Sequence, residues 1–169
     1  MTILTSVAVN SGPKEKPFAL IASDSREVLF RFDHNEKYEV HSQTIVDTKD
    51  DTRKVFKPLP NIIVGFAGNG KDDLASYVDF MQKSISPEVD LKEAARVLRK
   101  ELISRFSGNK LYSMEILMAG YIEGNIALAF FDTSWSNNLP IKYQIPKNYE
   151  ASSYFVGNQP SKQLIDECH

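Results

Sequence analysis

The order of hydrophobic periodicities along the chain is the strongest constraint on its fold. Strand-like segments lie on both sides of two consecutive amphipathic segments, at 72–85 and 90–106. Both repeat their apolar residues at helical spacing, and both begin at aspartates that can cap a helix. Adjacent helices do not suit a series of βαβ units, in which strand and helix alternate. The order therefore predicts antiparallel sheets with a helical pair packed on one side.

The strand-like segments are short and are separated by turn signals. Residues 3–9 and 18–23 are predicted to form a hairpin, and the second strand is apolar enough to be buried on both faces. A second hairpin is predicted from the alternation over 27–32 and the β-forming residues over 38–46. The remaining predicted elements are strands at 53–56, 61–66, 114–122, 126–131, 141–145 and 153–156, and a helix over 161–168.

Composition narrows the class of protein. The 169 residues suit one domain, and we expect a single domain over 1–169. A net charge of −2 gives no basic excess for nucleic acid or a membrane surface, and no apolar run has the length of a membrane span. The single cysteine, Cys168, excludes a disulfide framework and favours a reducing cytoplasm. The three histidines show no metal-ligand spacing, so we expect no metal and no cofactor.

A glycine-rich segment precedes the first predicted helix. Residues 65–72 read Gly-Phe-Ala-Gly-Asn-Gly-Lys-Asp, which is close to the phosphate loop G-x-x-x-x-G-K-[ST]. Asp72, however, stands where a hydroxyl should bind Mg²⁺, and the parallel strand order that such a loop needs is missing. Nucleotide binding is therefore the weaker interpretation. A tight turn before the helix accounts for the glycines, and the same geometry can direct backbone N–H groups at a developing oxyanion.

A set of short motifs occurs in one order along the chain. They are Met1–Val7, Leu20–Arg26, Arg53–Phe56, the stretch from Lys54 to Gly68, Met118–Tyr121, Phe131-Asp132 and Val156–Asn158. Together they resemble the mature start, the A-D-S-R motif, the K-[VI] segment and the later hairpin of proteasome β-type subunits and the related bacterial ring peptidase. The resemblance implies an α+β fold, the four-layer αββα sandwich of N-terminal-nucleophile hydrolases, lacking here the C-terminal helix and strands.

The same resemblance implies a threonine-type peptidase with Thr2 as its nucleophile once Met1 is removed. A hydroxyl needs a base, and a free α-amine with a pKa of about 7.7–8.0 can accept its proton. The Lys54 ammonium would lower the pKa of that amine, and Asp24 would pair with Lys54 and fix its position. The Gly68 N–H would bind the tetrahedral oxyanion.

The resemblance also implies a substrate pocket and an assembly. Phe66 would line the first substrate pocket, with Gly70 and Thr52 nearby, and an apolar side chain would be favoured before the scissile bond. Asn158 stands where the family has a serine near the threonine amine. The substrates would be unfolded polypeptides. The subunits would form a ring or a stacked dimer, and an ATPase partner would supply the substrate.

Two other functions use the same residues. One is a catalytically inactive subunit of a proteasome-like ring, although such a subunit has no need to keep both Asp24 and Lys54. The other is an N-terminal-nucleophile amidase that acts on a small amide. Both alternatives differ from the peptidase in turnover or in substrate, and the motifs themselves do not separate them.

Overall fold

A computed structural model describes residues 3–12, 16–24, 27–34, 40–49, 52–69, 73–106, 113–133 and 140–156, and within 27–34, 40–49 and at 69 it describes the backbone alone. The elements, in chain order, are β1 (Leu4–Asn10), β2 (Phe18–Ser23), β3 (Glu27–His34), β4 (Val40–Lys49), β5 (Val55–Leu59), β6 (Ile62–Asn69), α1 (Leu74–Ser84), α2 (Leu91–Phe106), β7 (Ser113–Ile122), β8 (Asn125–Asp132), β9 (Lys142–Gln144) and β10 (Glu150–Val156).

The described strands form three antiparallel groups. A five-stranded sheet has the order β5-β6-β7-β8-β9, a three-stranded sheet has the order β10-β1-β2, and β3 pairs with β4. The two predicted hairpins, β1–β2 and β3–β4, are confirmed. The predicted helix over 161–168 lies outside the described residues.

The two helices begin where the sequence predicts, because an aspartate caps each of them. The Asp73 carboxylate accepts a hydrogen bond from Ala75 N at 3.3 Å, and the Asp90 carboxylate accepts one from Glu93 N at 3.0 Å. These bonds satisfy N–H groups that the first turn of a helix leaves without a partner. Below the caps, each helix buries an apolar stripe against the five-stranded sheet.

Strand β6 separates two hydrophobic clusters. Its residues Ile62, Val64 and Phe66 belong to the cluster shared with the helices. Its alternate residues Ile63 and Ala67 face the three-stranded sheet and belong to the second cluster. Because side chains alternate across a strand, the five-stranded sheet is covered by helices on one face and by a second sheet on the other.

The expectation of a four-layer αββα sandwich is wrong for the described residues. Apart from the separate β3–β4 hairpin, they form three layers, namely a helical pair, the five-stranded sheet and the three-stranded sheet. Both helices pack on the same sheet, since their buried stripes contribute to one cluster. In the described part of the chain, no helix lies on the outer face of the three-stranded sheet. The protein is therefore mostly β, with its two helices on one side.

Strand β2 also differs from its prediction. Ile21 is buried against the second cluster, but Leu20 and Phe18 are 56% and 53% exposed. The prediction of burial on both faces is therefore wrong for β2. Its apolar run suits a covered strand, but only one face of its sheet is covered by the described residues.

Neither described helix combines the length and the apolar character that crossing a membrane would require.

Candidate functional site

A buried lysine, an aspartate and the start of the described chain meet at one end of the sandwich. Lys54 Nζ lies 3.0 Å from Asp24 Oδ1, and Ile3 N donates to the same oxygen at 3.0 Å. Both nitrogens lie 3.0 Å from the same oxygen, Asp24 Oδ1, so they are at most about 6 Å from each other. The predicted pairing of Asp24 with Lys54 is therefore present.

The strand register explains why these groups meet. In the β1–β2 hairpin Leu4 lies opposite Ser23, which places Ile3 opposite Asp24 just beyond the paired strands. Asp24 N donates back to Ile3 O at 3.2 Å, so Ile3 and Asp24 are joined by two bonds. Lys54 immediately precedes β5, and its carbonyl accepts a hydrogen bond from Phe66 N at 3.0 Å. Both sheets therefore contribute to the site.

The burial of the lysine makes the ion pair more significant than a surface pair. The Lys54 side chain is 5% exposed, whereas the Asp24 side chain is 31% exposed. A buried ammonium is costly unless an anion and hydrogen bonds compensate it. Asp24 supplies the anion and remains partly open to solvent. The arrangement holds a desolvated positive charge near the beginning of β1.

Gly68, the predicted oxyanion donor, lies near the exposed end of β6. Its φ is +104°, and a Cβ atom there would lie 2.4 Å from Ser113 O and 3.1 Å from Met114 Cα. A positive φ and a close backbone approach both require glycine. Pairing between β5 and β6 begins with Val55 and Gly65, so Gly68 extends beyond the end of that ladder. Lys54 precedes Val55 and Gly68 follows Gly65, so both residues lie at the same end of the β5–β6 pair.

A buried threonine, which the sequence did not single out, stabilises the backbone beside Gly68. Thr133 Oγ1 accepts from Met114 N at 2.9 Å and donates to Met114 O at 3.2 Å, and Thr133 N donates to Met114 O at 2.9 Å. Met114 is the partner of Gly68 in the β6–β7 pairing. Threonine is common at strand ends, so no sequence signal distinguishes Thr133 from the other threonines.

Of the predicted pocket residues, Phe66 lies in the hydrophobic core, whereas Thr52 lies near the ion pair in the sequence. Phe66 is 1% exposed, and its ring packs at 5.9 Å from the Tyr77 ring and at 6.1 Å from the Phe56 ring in the helix-side core. That burial gives no support to Phe66 as a wall of a substrate pocket. Thr52 is half-buried two residues before Lys54, close in sequence to the ion pair.

Three predicted site residues, Thr2, Gly70 and Asn158, lie outside the described residues. Thr2 is nevertheless bonded to Ile3, whose N–H contacts Asp24. The proposed nucleophile is therefore one peptide bond from a described atom of the site.

The alternative of a phosphate loop finds no support in the sheet. Strand β6 precedes α1, but both of its neighbours, β5 and β7, are antiparallel to it. A phosphate loop of the P-loop type sits in a parallel βαβ unit. Gly70, Lys71 and Asp72 of the loop lie outside the described residues. The strand that leads into the loop is thus in the wrong kind of sheet for nucleotide binding.

No protein-family model matches the chain. No curated protein matches it either.

Proposed function

We propose that the protein hydrolyses peptide bonds with Thr2 as an N-terminal nucleophile, in the manner of a threonine-type peptidase. One observation carries the proposal: the Asp24 carboxylate binds both the buried Lys54 ammonium and the backbone N–H of Ile3. An ion pair with a purely structural role would not need a hydrogen bond from Ile3, which directly follows Thr2 in the chain. The buried ammonium therefore lies within about 6 Å of the backbone nitrogen that follows Thr2, the residue whose amine would act as the base.

The reaction begins after removal of Met1, which frees the Thr2 α-amine. The amine takes the proton of the Thr2 hydroxyl, and Oγ1 attacks the carbonyl carbon of the substrate. The tetrahedral intermediate collapses with loss of the peptide amine, which leaves with that proton. Water then attacks the Thr2 ester, gives its proton to the amine, and releases the carboxylic acid and the free hydroxyl.

Lys54 contributes electrostatically to the first step. A nearby ammonium disfavours protonation of a second amine, so the Thr2 amine remains available as a base. Asp24 fixes the position of the lysine and reduces the cost of burying it. Since Asp24 also binds Ile3 N, displacement of the carboxylate would affect both Lys54 and the start of β1.

The Gly68 N–H is the proposed oxyanion donor. In a strand, N–H groups two residues apart point to the same side, and Phe66 N points to Lys54 O. The Gly68 N–H is therefore expected to point toward the same edge of β6 as the Phe66 N–H, at a position beyond the last paired residues of β5. Removal of one such donor costs about 2.7–4 kcal/mol of transition-state stabilisation in known hydrolases.

The proposal extends to the setting of the reaction. A cytoplasmic location rests on the single cysteine, which needs no oxidising compartment. Unfolded polypeptides are the proposed substrates. Assembly into a ring or a stacked dimer, with an ATPase partner, follows from the family resemblance alone.

The test is turnover of a fluorogenic peptide panel by protein whose intact mass shows that Met1 has been removed. Thr2→Ala and Lys54→Ala should each abolish turnover, and the double variant should be no worse, because the two residues act as one unit. Lys54→Arg should also fail, since a guanidinium does not fit the compact site of an ammonium. Lys142→Ala, at an exposed lysine of β9, is the control and should leave turnover unchanged.

Stability must be measured beside activity, because Lys54→Ala leaves Asp24 without its buried partner. A folded Lys54→Ala variant with the parent rate would exclude the mechanism. Turnover of a small amide with no turnover of any peptide would favour the amidase alternative. Protein that retains Met1 in native material and cleaves nothing would favour the inactive subunit.

A further inference from the structure

A cleft lies at the opposite end of the sandwich from the Asp24–Lys54 pair. It has a volume of about 280 Å³ and lies between β2, the β5–β6 turn and the β7–β8 hairpin. Strand β2 runs from Phe18 at this cleft to Ser23 beside Asp24, so the two ends are separated by roughly 17 Å. The cleft is therefore distinct from the proposed catalytic site.

The lining of the cleft is apolar apart from its rim. Two large exposed rings border it, Phe18 at 53% exposure and Tyr121 at 38%. Its inner wall includes the aliphatic side chains of Ile63 and Ile126. Exposed aromatic residues around a concave apolar surface are typical of binding sites rather than of ordinary surface. The size suits one large apolar side chain.

Lys57 gives the cleft its charge. It is the single charged residue among those that line the cleft, and its side chain is exposed on β5. Across the described residues, no ion pair involves Lys57. A lone cation beside an apolar cleft complements a ligand that carries a carboxylate next to an apolar side chain.

Strand β2 adds a backbone component to this surface. It is an edge strand of the three-stranded sheet and pairs only with β1 among the described strands. Charged side chains and prolines usually prevent pairing at the edge of a sheet. The sequence of β2, Phe-Ala-Leu-Ile-Ala-Ser, contains neither. An extended peptide can therefore add to this edge as a further strand.

From these observations, we infer that the cleft and the β2 edge together bind an extended acidic segment of a partner protein. The segment pairs with β2 through its backbone and inserts one aromatic or large aliphatic side chain between Phe18 and Tyr121. A neighbouring carboxylate of the segment pairs with Lys57. This surface is a docking site that acts at a distance from the proposed catalytic residues.

The probe is a fluorescein-labelled hexapeptide, Glu-Val-Thr-Phe-Glu-Val, and the readout is fluorescence anisotropy with the full chain. We expect saturable binding that is lost when the phenylalanine of the probe is replaced by alanine or its glutamates by lysines. Lys57→Glu and Phe18→Ser should each weaken binding by at least about fivefold. Lys142→Glu, a charge reversal on another exposed strand lysine, should not change it.

Two further measurements make the result decisive. Thr2→Ala should bind the probe as the parent does, so the docking site is tested independently of the proposed peptidase. Lys57→Glu and Phe18→Ser should stay folded in thermal melts, with a loss of about 1 kcal/mol or less in the free energy of unfolding, because both side chains are exposed. Absence of binding by the parent, or binding by either variant that equals that of the parent, would overturn the inference. Light scattering that showed a dimer dissociated by Phe18→Ser would instead assign this surface to a second copy of the chain, and would also overturn it.

Discussion

The two main sheets of the molecule differ in how much of each is covered. The five-stranded sheet is packed on both faces, by the helices and by the second sheet. Its edges are also protected, since β5 contains Pro58 and the three-residue β9 is flanked by Pro140 and Pro146. Proline removes the backbone donor that an added strand would need.

The three-stranded sheet is packed on one face only within the described residues. Its outer face presents nine residues, none of them charged, namely Thr5, Val7, Val9, Phe18, Leu20, Ala22, Ala151, Ser153 and Phe155. Its edges, β2 and β10, contain no proline. We therefore expect the five-stranded sheet to contribute most of the stability of the fold, whereas the three-stranded sheet leaves one uncharged face uncovered by the described residues.

Truncation of a core phenylalanine should give the largest effect. Phe66→Ala removes a ring that is 1% exposed from the helix-side core, and we expect a loss of about 3–5 kcal/mol in the free energy of unfolding. Phe18→Ala is the matched control on the three-stranded sheet and should cost about 1 kcal/mol or less, because its ring is 53% exposed. Urea denaturation measures both. Equal losses would show that the two sheets contribute alike.

Two glycines with positive φ should differ in their sensitivity to alanine. Gly68→Ala combines a φ of +104° with a Cβ atom 2.4 Å from Ser113 O, and we expect a loss of about 2–3 kcal/mol. Gly124→Ala, at a φ of +80° with nothing within 4 Å, should cost only about 1 kcal/mol. Thermal unfolding of the two variants tests whether close packing at the site end of β6 adds to the backbone strain.

Substitution on the uncovered face should have the smallest effect. Leu20→Thr changes a side chain that is 56% exposed, so the free energy of unfolding should change by less than about 0.5 kcal/mol. Ile21→Thr, at the next residue but on the covered face, should cost roughly 1 kcal/mol or more in the free energy of unfolding. A loss at Leu20 as large as that at Ile21 would mean that the outer face is covered in solution.

Much of the candidate site was predictable because its residues lie close to strand ends. Asp24 follows an apolar strand and Lys54 precedes one, and the resemblance to proteasome β-type subunits implied that the two would pair. The structure confirms that contact at 3.0 Å. The bond from Ile3 N to Asp24 depended on the hairpin register, and the role of Thr133 beside Met114 depended on contacts between distant strands.

The sequence by itself determined the elements of this protein. Periodicity and capping aspartates predicted both helices, and turn residues separated the strands, because these signals act over a few neighbouring residues. Only the tertiary structure decided which faces are covered. Phe66 and Leu20 are both large apolar residues in strands, yet one is buried and the other exposed. The physical reason is that burial depends on whether another layer packs on a given face, and that layer is supplied by residues far away in the chain.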